Sequence, residues 1–515
     1  RLGLDYELTD KTTVGVLMAA YDNRWHMDAI NNGVISTPVA DTLSTINLIE
    51  DNNWQHFQAN INVEHKFKDG GKLNFDLDYL FYDNENPTDY TFNFRDNNEN
   101  PLSTETLFSG KVTPFSIRVG QLDYERDLSD KFNVSFGAKM VQSDFENDVL
   151  IKENEIENTN FTSKSNLTED IYAAYAQGSY NLTDKLSLTL GARFTQEEKN
   201  ALVNNGLVYE TIYPESGWVP GYDRGDISVP TVLDDSEDWS RFTPRASVEY
   251  QHSEDMMFFA SYSQGFKSGT FNPRASGPEP AVDPEIVDSF EFGVKSEWNN
   301  NLRVNATLFY LDHQDRQFVT VLPSADGSEL SQRLGNIGQS TASGFELEVE
   351  YAVTDSLQLF ATLGLIDAAF EEVSSFDGNG NPIDISDTFT ITNTPDTTAN
   401  VGFSYDIESS IGGFVINGNY YYRSDYDLAP TDNLLTQEGY GLANLGVNWY
   451  SNDGDWTASL HWKNITDEEY LVGNYAFVGA QDDQGNYAPG LGGDTTLIGY
   501  YGDPSTVALT VGYSF

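Results

Sequence analysis

The sequence has 515 residues, of which 39% are hydrophobic and 13% aromatic; it contains no cysteine and carries a net charge of -52. The absence of cysteine excludes thiolate metal sites, cysteine nucleophiles and disulfide bonds. The acidic balance argues against nucleic acid as a partner, because phosphates require Lys and Arg. No run approaches the roughly 18 apolar residues of a membrane helix. A transmembrane barrel escapes that test, since only every second residue of its strands faces lipid.

Strand-like segments recur along the whole chain, and apolar side chains alternate in them with small or polar ones. A period of two is typical of a β-strand whose two faces have different surroundings. In chain order, the predicted strands are Arg1–Leu8, Thr12–Tyr21, Trp54–Phe67, Leu73–Tyr82, Val112–Leu128, Phe132–Val141, Ile171–Leu182, Leu186–Thr195, Phe242–Gln251, Met256–Ser263, Ile286–Trp298, Leu302–Tyr310, Gly344–Val353, Leu357–Ala368, Thr397–Ile407, Phe414–Tyr422, Leu442–Tyr450, Trp456–Trp462 and Ser505–Phe515. The sequence therefore predicts an all-β protein of about nineteen strands.

Short and long connections alternate strictly between these strands. The short ones are tight turns rich in Asp, Asn, Gly and Lys, such as Thr9–Lys11 and Asn299–Asn301. The long ones include the polar stretches Asp22–Asn52 and Asp83–Lys111. A transmembrane antiparallel β-barrel has this asymmetry, with short turns in the periplasm and long loops outside. The last strand, Ser505–Phe515, is apolar on one face, as expected for contact with lipid.

Strand parity indicates that the barrel is incomplete at its amino-terminal end. If the last strand runs towards the periplasm, the alternation makes the first strand run the same way. A closed antiparallel barrel needs an even number of strands, so we expect at least one strand before Arg1. The first and last strands of this chain should then run parallel and leave a seam.

Five segments, in order, resemble the carboxy-terminal barrel of TonB-dependent outer-membrane receptors. They are Tyr262–Arg274, Pro284–Trp298, Ser343–Tyr351, Lys463–Tyr470 and the final aromatic strand. The resemblance runs across most of the chain and is strongest after Thr168. One detail departs from the family pattern, which often has Pro-Arg-Thr where this chain has Pro504–Thr506.

The resemblance implies a barrel of about 22 strands with a plugged lumen. Residues 1–515 would then form the barrel without its first three strands, its plug domain and the short box that contacts TonB. The implied function is active import of a scarce nutrient, a ferric chelate or an oligosaccharide, across the outer membrane of a Gram-negative bacterium. The implied partners are TonB, the lipid bilayer and a substrate at the extracellular loops. We expect a monomeric barrel that is not an enzyme and holds no cofactor.

Two other classes of function remain open at this point. A passive porin-type channel would share the barrel but lack a plug. A soluble or adhesive all-β protein would share the strand pattern but need no detergent. A plug sequence before Arg1 would distinguish the importer from the channel.

Possible metal and catalytic residues give weaker signals. The six histidines are not spaced as a metal-binding pair, and no G-x-S-x-G motif occurs. We therefore expect surface or lumen histidines. The segments Asp377–Asn381 and Asp482–Asn486 are faintly similar to calcium loops, but without the ordered spacing and the bidentate Glu. Plain turns are the simpler interpretation.

Aromatic, acidic and basic residues supply the candidate substrate contacts. Rings stack on sugars or aromatic chelators, and carboxylates accept hydrogen bonds from hydroxyls. The candidates are Trp218, Tyr222 and Trp239 in the acidic segment Tyr209–Trp239, Tyr475, Tyr487 and Tyr500 in the last long connection, and the inward-facing Arg193, Arg303 and Arg423. The rings could instead pack the loops, and the arginines could pair with acids of the lumen or the plug. Acidic loops disfavour an anionic chelate, so a carbohydrate or a neutral chelate fits better.

Overall fold

The computed structural model describes residues 1–36, 41–153, 159–209, 231–275, 278–323, 330–376, 382–430, 436–476, 478–481, 487–489 and 497–514. The strands are β1 Leu2–Thr9, β2 Thr12–Ser36, β3 Asp41–Lys66, β4 Lys72–Asp96, β5 Pro101–Ser129, β6 Phe132–Glu153, β7 Thr159–Thr183, β8 Leu186–Tyr209, β9 Thr231–Ser253, β10 Met256–Lys267, β11 Glu285–Trp298, β12 Leu302–Pro323, β13 Leu330–Ala352, β14 Leu357–Phe376, β15 Pro382–Asp384, β16 Thr397–Ser409, β17 Gly412–Arg423, β18 Tyr426–Asp427, β19 Thr436–Gln437, β20 Tyr440–Tyr450, β21 Trp456–Lys463, β22 Leu471–Ala476, β23 Val478–Gln481, β24 Tyr487–Pro489, β25 Leu497–Tyr501 and β26 Thr506–Tyr513. A short 3-10 helix covers Ser386–Thr388. Within these ranges, no helix has the length and apolar character needed to cross a bilayer.

One antiparallel sheet of 20 strands contains β1–β17, β20, β21 and β26. The short β15 pairs only with the end of β14, so nineteen strands form the wall, as the sequence predicts. Each wall strand pairs with its neighbours in the chain. The remaining short strands form three two-stranded ribbons, β18–β19, β22–β25 and β23–β24.

The two edges of this sheet are β1 and β26. In the described residues, β1 pairs with β2 and β26 pairs with β21, and no pairing joins β1 to β26. The wall therefore has a seam at the position where the parity of the strands places one.

The two faces of the wall differ in chemistry. On β12, Leu308 is 54% exposed on the apolar face, while the preceding residue, Thr307, lies on the other face. The polar face carries cross-strand hydrogen bonds between amides and acids, such as Asn60 Nδ2 to Asp78 Oδ1 at 2.7 Å. An exposed apolar band on one face and a hydrogen-bonded polar face on the other are the pattern of a barrel with lipid outside and water inside.

The prediction of long loops over Asp22–Asn52 and Asp83–Lys111 is wrong. The strand ladder continues over residues 22–36, 41–52, 83–96 and 101–111, and β2 pairs with β3 without interruption from Thr12 to Ser36. Beyond the lipid both faces of a strand meet polar surroundings, so the apolar alternation disappears while the backbone hydrogen bonds persist. Strands β2–β9 consequently have 22 to 29 residues, whereas β20 has 11 and β21 has 8.

The segment formed by residues 268–275 and 278–284, after β10, folds back against the polar face of the wall. We call it the strap. Its buried residues pack against β8 and β9 and form the largest described apolar cluster, which consists of Ala201, Val203, Leu233, Trp239, Phe271 and Ala275. Phe271 is 1% exposed. The strap thus places a small hydrophobic core inside the wall, where the sequence predicts only a loop.

Candidate substrate-binding surfaces

The strap covers Trp239, one of the candidate substrate contacts. Trp239 lies in β9, not in a loop, and its partner across the ladder is Glu197 of β8. A Cβ atom added to Gly269 would lie 2.3 Å from Trp239 Cε2 and 2.2 Å from the carbonyl oxygen of Val282. The strap backbone therefore lies directly on the indole ring, and Trp239 is 9% exposed. In this arrangement Trp239 anchors the strap.

Glu285, at the end of the strap, holds together three strands. Its Oε1 accepts hydrogen bonds from Lys267 Nζ at 3.0 Å and from the backbone N–H of Gln317 at 2.8 Å. His313 Nε2 lies 2.9 Å from Glu285 Oε2. The side chain of Gln317 donates to the carbonyl oxygens of Ser268 at 2.8 Å and of Asp283 at 3.0 Å. Both ends of the strap are thereby fixed to β10, β11 and β12.

The Glu285 carboxylate is charged in this setting. Burial raises the pKa of Glu285, but hydrogen bonds from Lys267, the Gln317 backbone and His313 outweigh burial and lower that pKa below its ordinary value. Since Glu285 is only 9% exposed, the partners replace most of the hydration of its carboxylate. The charged form therefore stabilises the strap at neutral pH.

The sequence names Glu285 within the Pro284–Trp298 motif but gives it no role. Its partners His313 and Gln317 lie on β12, and Val287 pairs with His313 in the ladder. Only the register of β11 against β12 brings these groups together. In the sequence, the Glu285–His313 contact is indicated only by an acidic residue at the start of one strand and a histidine on the next strand.

The three candidate arginines lie on the polar face at different places in the wall. Arg193 places its guanidinium 5.5 Å from the Tyr175 ring centroid and donates to Thr195 Oγ1 at 2.9 Å. Arg303 pairs with Glu350 at 2.8 Å and with Glu297 at 3.7 Å, near the tight turn after β11. Arg303 is thus engaged with acids of the lumen, the alternative that the sequence left open.

Arg423 belongs to a second cluster of aromatic residues, at the carboxyl end of β17. Its guanidinium lies 4.4 Å from the Tyr426 ring centroid and donates to the carbonyl oxygen of Asn393 at 3.3 Å. Tyr440 stacks on Tyr470 with centroids 4.6 Å apart. Burial, with a smaller contribution from Tyr440, raises the pKa of Tyr426 to about 12. Tyr426 and Tyr440 are both buried and Tyr470 packs against them, so these rings form a second small apolar cluster in the described residues.

The remaining candidates are less closely defined. Trp218 and Tyr222 lie outside the described residues, as do the calcium-like segments 377–381 and 482–486. Tyr475 lies in β22 and Tyr487 lies in β24. Tyr500 is an exposed residue of β25. In the described part of the chain, no group of three or more His, Asp or Glu side chains is placed to hold a metal ion.

Comparison with known proteins agrees with this architecture. The family model described as TonB dependent receptor-like, beta-barrel matches residues 2–465. The ferric-pyoverdine BN7/BN8 receptor of Pseudomonas putida is 23% identical over 359 residues, which are 69% of this chain and 35% of that receptor. The metal-pseudopaline receptor CntO of Pseudomonas aeruginosa is 29% identical over 126 residues, 24% of this chain and 16% of that receptor. The chain spans little more than a third of the length of the pyoverdine receptor.

Solved structures share the fold. The ferric yersiniabactin uptake receptor FyuA from Yersinia pestis superposes with a TM-score of 0.61 at 13% identity, covering 100% of this chain and 77% of that one. The ferripyoverdine receptor of the outer membrane of Pseudomonas aeruginosa, bound to ferripyoverdine, gives 0.59 at 14% identity, with coverages of 100% and 69%. Since the family match extends over most of its length, this chain belongs to the TonB-dependent receptor family and forms a transmembrane β-barrel of that type.

Proposed function

We propose that the chain is the barrel of an active importer that carries a ferric chelate across the outer membrane of a Gram-negative bacterium. The family match over residues 2–465 carries this proposal. Relatives with known cargo support it, because they are named as receptors of ferric pyoverdine and of metal-pseudopaline. The iron is cargo, so the barrel itself needs no resident metal.

The proposal fixes an orientation for the wall. Tight turns such as 299–301 face the periplasm, and the strap and the Tyr440–Tyr470 stack lie at the extracellular end. In the proposed importer, a plug closes the lumen and a short box contacts TonB. The complete barrel works as a monomer, and TonB supplies the energy that moves the plug and opens a path.

The charge of the chain narrows the class of chelate. The chain carries a net charge of -52, and acids such as Asp76 and Asp78 line the polar face. A highly anionic chelate would be repelled from such a lumen. A chelate of low net charge therefore fits this barrel better.

Uptake of radioactive iron tests the proposal. The complete gene, with its own upstream sequence, is expressed in a strain that lacks its own ferric-chelate receptors, and cells are supplied with a panel of ⁵⁵Fe chelates. We expect uptake of at least one chelate, and loss of that uptake when TonB is deleted or the proton gradient is collapsed.

Two results would contradict active iron import. Uptake that persists without TonB would indicate a passive channel. Uptake of labelled maltooligosaccharides, with no uptake of any ferric chelate, would indicate a carbohydrate importer of the same architecture.

A further inference from the structure

Inward-facing aromatic and amide side chains form a patch on β2, β3 and β4. Asn52, Trp54 and His56 occupy alternate positions of β3, so all three point to the lumen side. The register places Asn84 of β4 opposite Trp54 and Tyr21 of β2 opposite His56. The rings of Tyr21 and His56 stack at 17° with centroids 4.6 Å apart. We call these five residues the amide–aromatic patch.

Four polar atoms of this patch are buried without a hydrogen-bond partner. They are Asn52 Oδ1, Trp54 Nε1, His56 Nδ1 and Asn84 Oδ1. Buried polar atoms are nearly always paired, and an unpaired one costs free energy. The indole N–H can only donate and the amide oxygens can only accept, so the patch offers both kinds of group. A ligand that supplies one acceptor and one donor would pair with the indole N–H and with one of the two amide oxygens.

Asn52 shows that the patch is held in place. This residue is 5% exposed, and its amide nitrogen donates to Glu50 Oε1 at 3.3 Å. Asn86 Nδ2 donates to the same oxygen at 2.7 Å, and Asn86 Oδ1 accepts from Thr88 Oγ1 at 2.9 Å. The chain of hydrogen bonds orients the Asn52 amide, so its oxygen stays on the side of Trp54.

The surroundings of the patch favour an uncharged, planar ligand. Glu50 already accepts hydrogen bonds from the amides of Asn52 and Asn86. The cations Lys66 and Lys72 lie at the periplasmic ends of β3 and β4. Further from the periplasm, the same face is apolar and aromatic, with Ile46, Leu48, Tyr90, Phe92 and Phe94 at inward positions. The rings of Tyr90 and Phe92 lie 6.1 Å apart at 14°. The inward positions of β2–β4 at this level carry no cation, and the neighbouring Lys111 of β5 lies opposite Asn86, beside the Glu50 carboxylate that Asn86 contacts.

We propose that the amide–aromatic patch binds the chelator through an uncharged planar aromatic ring that carries an adjacent hydrogen-bond donor and acceptor. The ring stacks beside Tyr21 and His56, accepts from the Trp54 N–H and donates to an amide oxygen of Asn52 or Asn84. Tyr21 is exposed and stacks on the half-buried His56 ring, so the ligand ring packs against the edge of this pair. This assignment rests on the proposed import function and names the part of the substrate that the wall recognises.

Small probes test the patch independently of transport. The full-length receptor, purified in detergent, is titrated with salicylamide, which is planar, uncharged and carries a hydroxyl next to an amide. Salicylate adds a negative charge, and cyclohexanecarboxamide lacks the planar ring. Salicylamide should bind most tightly of the three, as measured by saturation-transfer NMR or calorimetry.

Matched variants locate the binding. Trp54→Ala removes the hydrogen bond from the indole N–H, and His56→Ala removes a ring beside which the ligand stacks, so each should weaken salicylamide binding by about tenfold. Trp54→Phe keeps a ring but removes the N–H and should give an intermediate loss. Gln55→Ala, on the opposite face of the same strand, should bind like the wild type. The change in gel mobility on heating, typical of folded barrels, checks that each variant is folded.

The outcomes separate the patch from the transport function. Absence of salicylamide binding, or equal binding by Trp54→Ala, His56→Ala and the wild type, would overturn the assignment even if ferric chelates are imported. Binding that depends on the patch, together with uptake that is independent of TonB, would uphold the site and overturn active import.

Discussion

Gly269 shows how a single residue can hold the strap in place. Its Cα lies so close to Trp239 and Val282 that no side chain fits there, whereas a Cβ added to Gly265, four residues earlier, would meet no atom within 4 Å. The two glycines lie in the same motif but have different neighbours, so they form a natural matched pair.

Replacing Gly269 with alanine should displace the strap from Trp239. Forced overpacking of this kind costs about 1–3 kcal/mol. We expect faster hydrogen exchange over residues 270–275 in Gly269→Ala, measured by mass spectrometry on the folded receptor. Gly265→Ala serves as the control and should exchange like the wild type. Unchanged protection in both variants would show that the strap is not seated on the ring.

Glu285 makes the strap sensitive to acid. Because its folded-state pKa is lowered, its charge stabilises the strap above the ordinary value of 4.5, and this contribution disappears as pH falls through the lower folded value. Protection of residues 268–275, corrected for intrinsic exchange rates, should therefore fall below about pH 4.5. Glu285→Gln should remove this dependence on pH.

Removal of the Glu285 side chain should loosen the strap at neutral pH as well. Glu285→Ala leaves the Gln317 N–H and His313 without an acceptor, at a cost of about 1–3 kcal/mol. Glu297→Ala is the matched control. Glu297 lies on the same strand, but it is exposed and its ion pair with Arg303 is long, at 3.7 Å. Equal protection of the strap in both variants would contradict the role assigned to Glu285.

At the scale of the element, each strand of the wall separates lipid from water. Leu308 lies between Phe292 and Phe345 on the apolar face, and Thr307 lies between Gly293 and Glu346 on the polar face. Leu308→Arg should lower the free energy of unfolding in vesicles by about 2–4 kcal/mol, the cost of a basic residue near the bilayer midplane. Thr307→Arg should have little effect. Urea titrations of both variants give the measurement, and a reversed order would place lipid on the wrong face.

The strands that cross lipid could be predicted from the sequence because one of their faces is continuously apolar. The nineteen wall strands, including Leu302–Tyr310 and Trp456–Trp462, follow from that alternation. Their extensions could not be predicted, because Asp22–Ser36 and Asp41–Asn53 have polar groups on both faces. There the backbone ladder alone continues the strand, and it leaves no mark in the pattern of side chains.

The candidate site was harder to predict for a different reason. Trp239 and Arg303 were chosen by residue type, but their neighbours come from other strands: the strap covers one and Glu350 pairs with the other. Trp54 and His56 lie at the boundary between a predicted strand and a polar stretch, so their shared face with Asn84 emerges only from the register. Contacts across the ladder depend on pairing that no local pattern encodes.

At the scale of the whole molecule, the seam between β1 and β26 matters most. In hydrocarbon, each backbone group without a hydrogen-bond partner costs several kcal/mol. The 515-residue chain refolded alone into vesicles should therefore insert poorly or associate through its edges. Crosslinking and gel mobility distinguish these products. Efficient monomeric insertion of residues 1–515 alone would show that β1 and β26 meet in the bilayer.

The unequal strand lengths give the described wall an oblique rim. A 25-residue strand such as β2, tilted by about 45°, rises roughly 60 Å, and the 11-residue β20 rises roughly 25 Å. In the proposed orientation, one flank of the described wall therefore extends well above the bilayer, and the other stays close to it. Large molecules such as antibodies or phage tails would reach the lumen more easily from the low flank than from the high one. The cysteine-free chain allows this to be mapped with single thiols and reagents of increasing size.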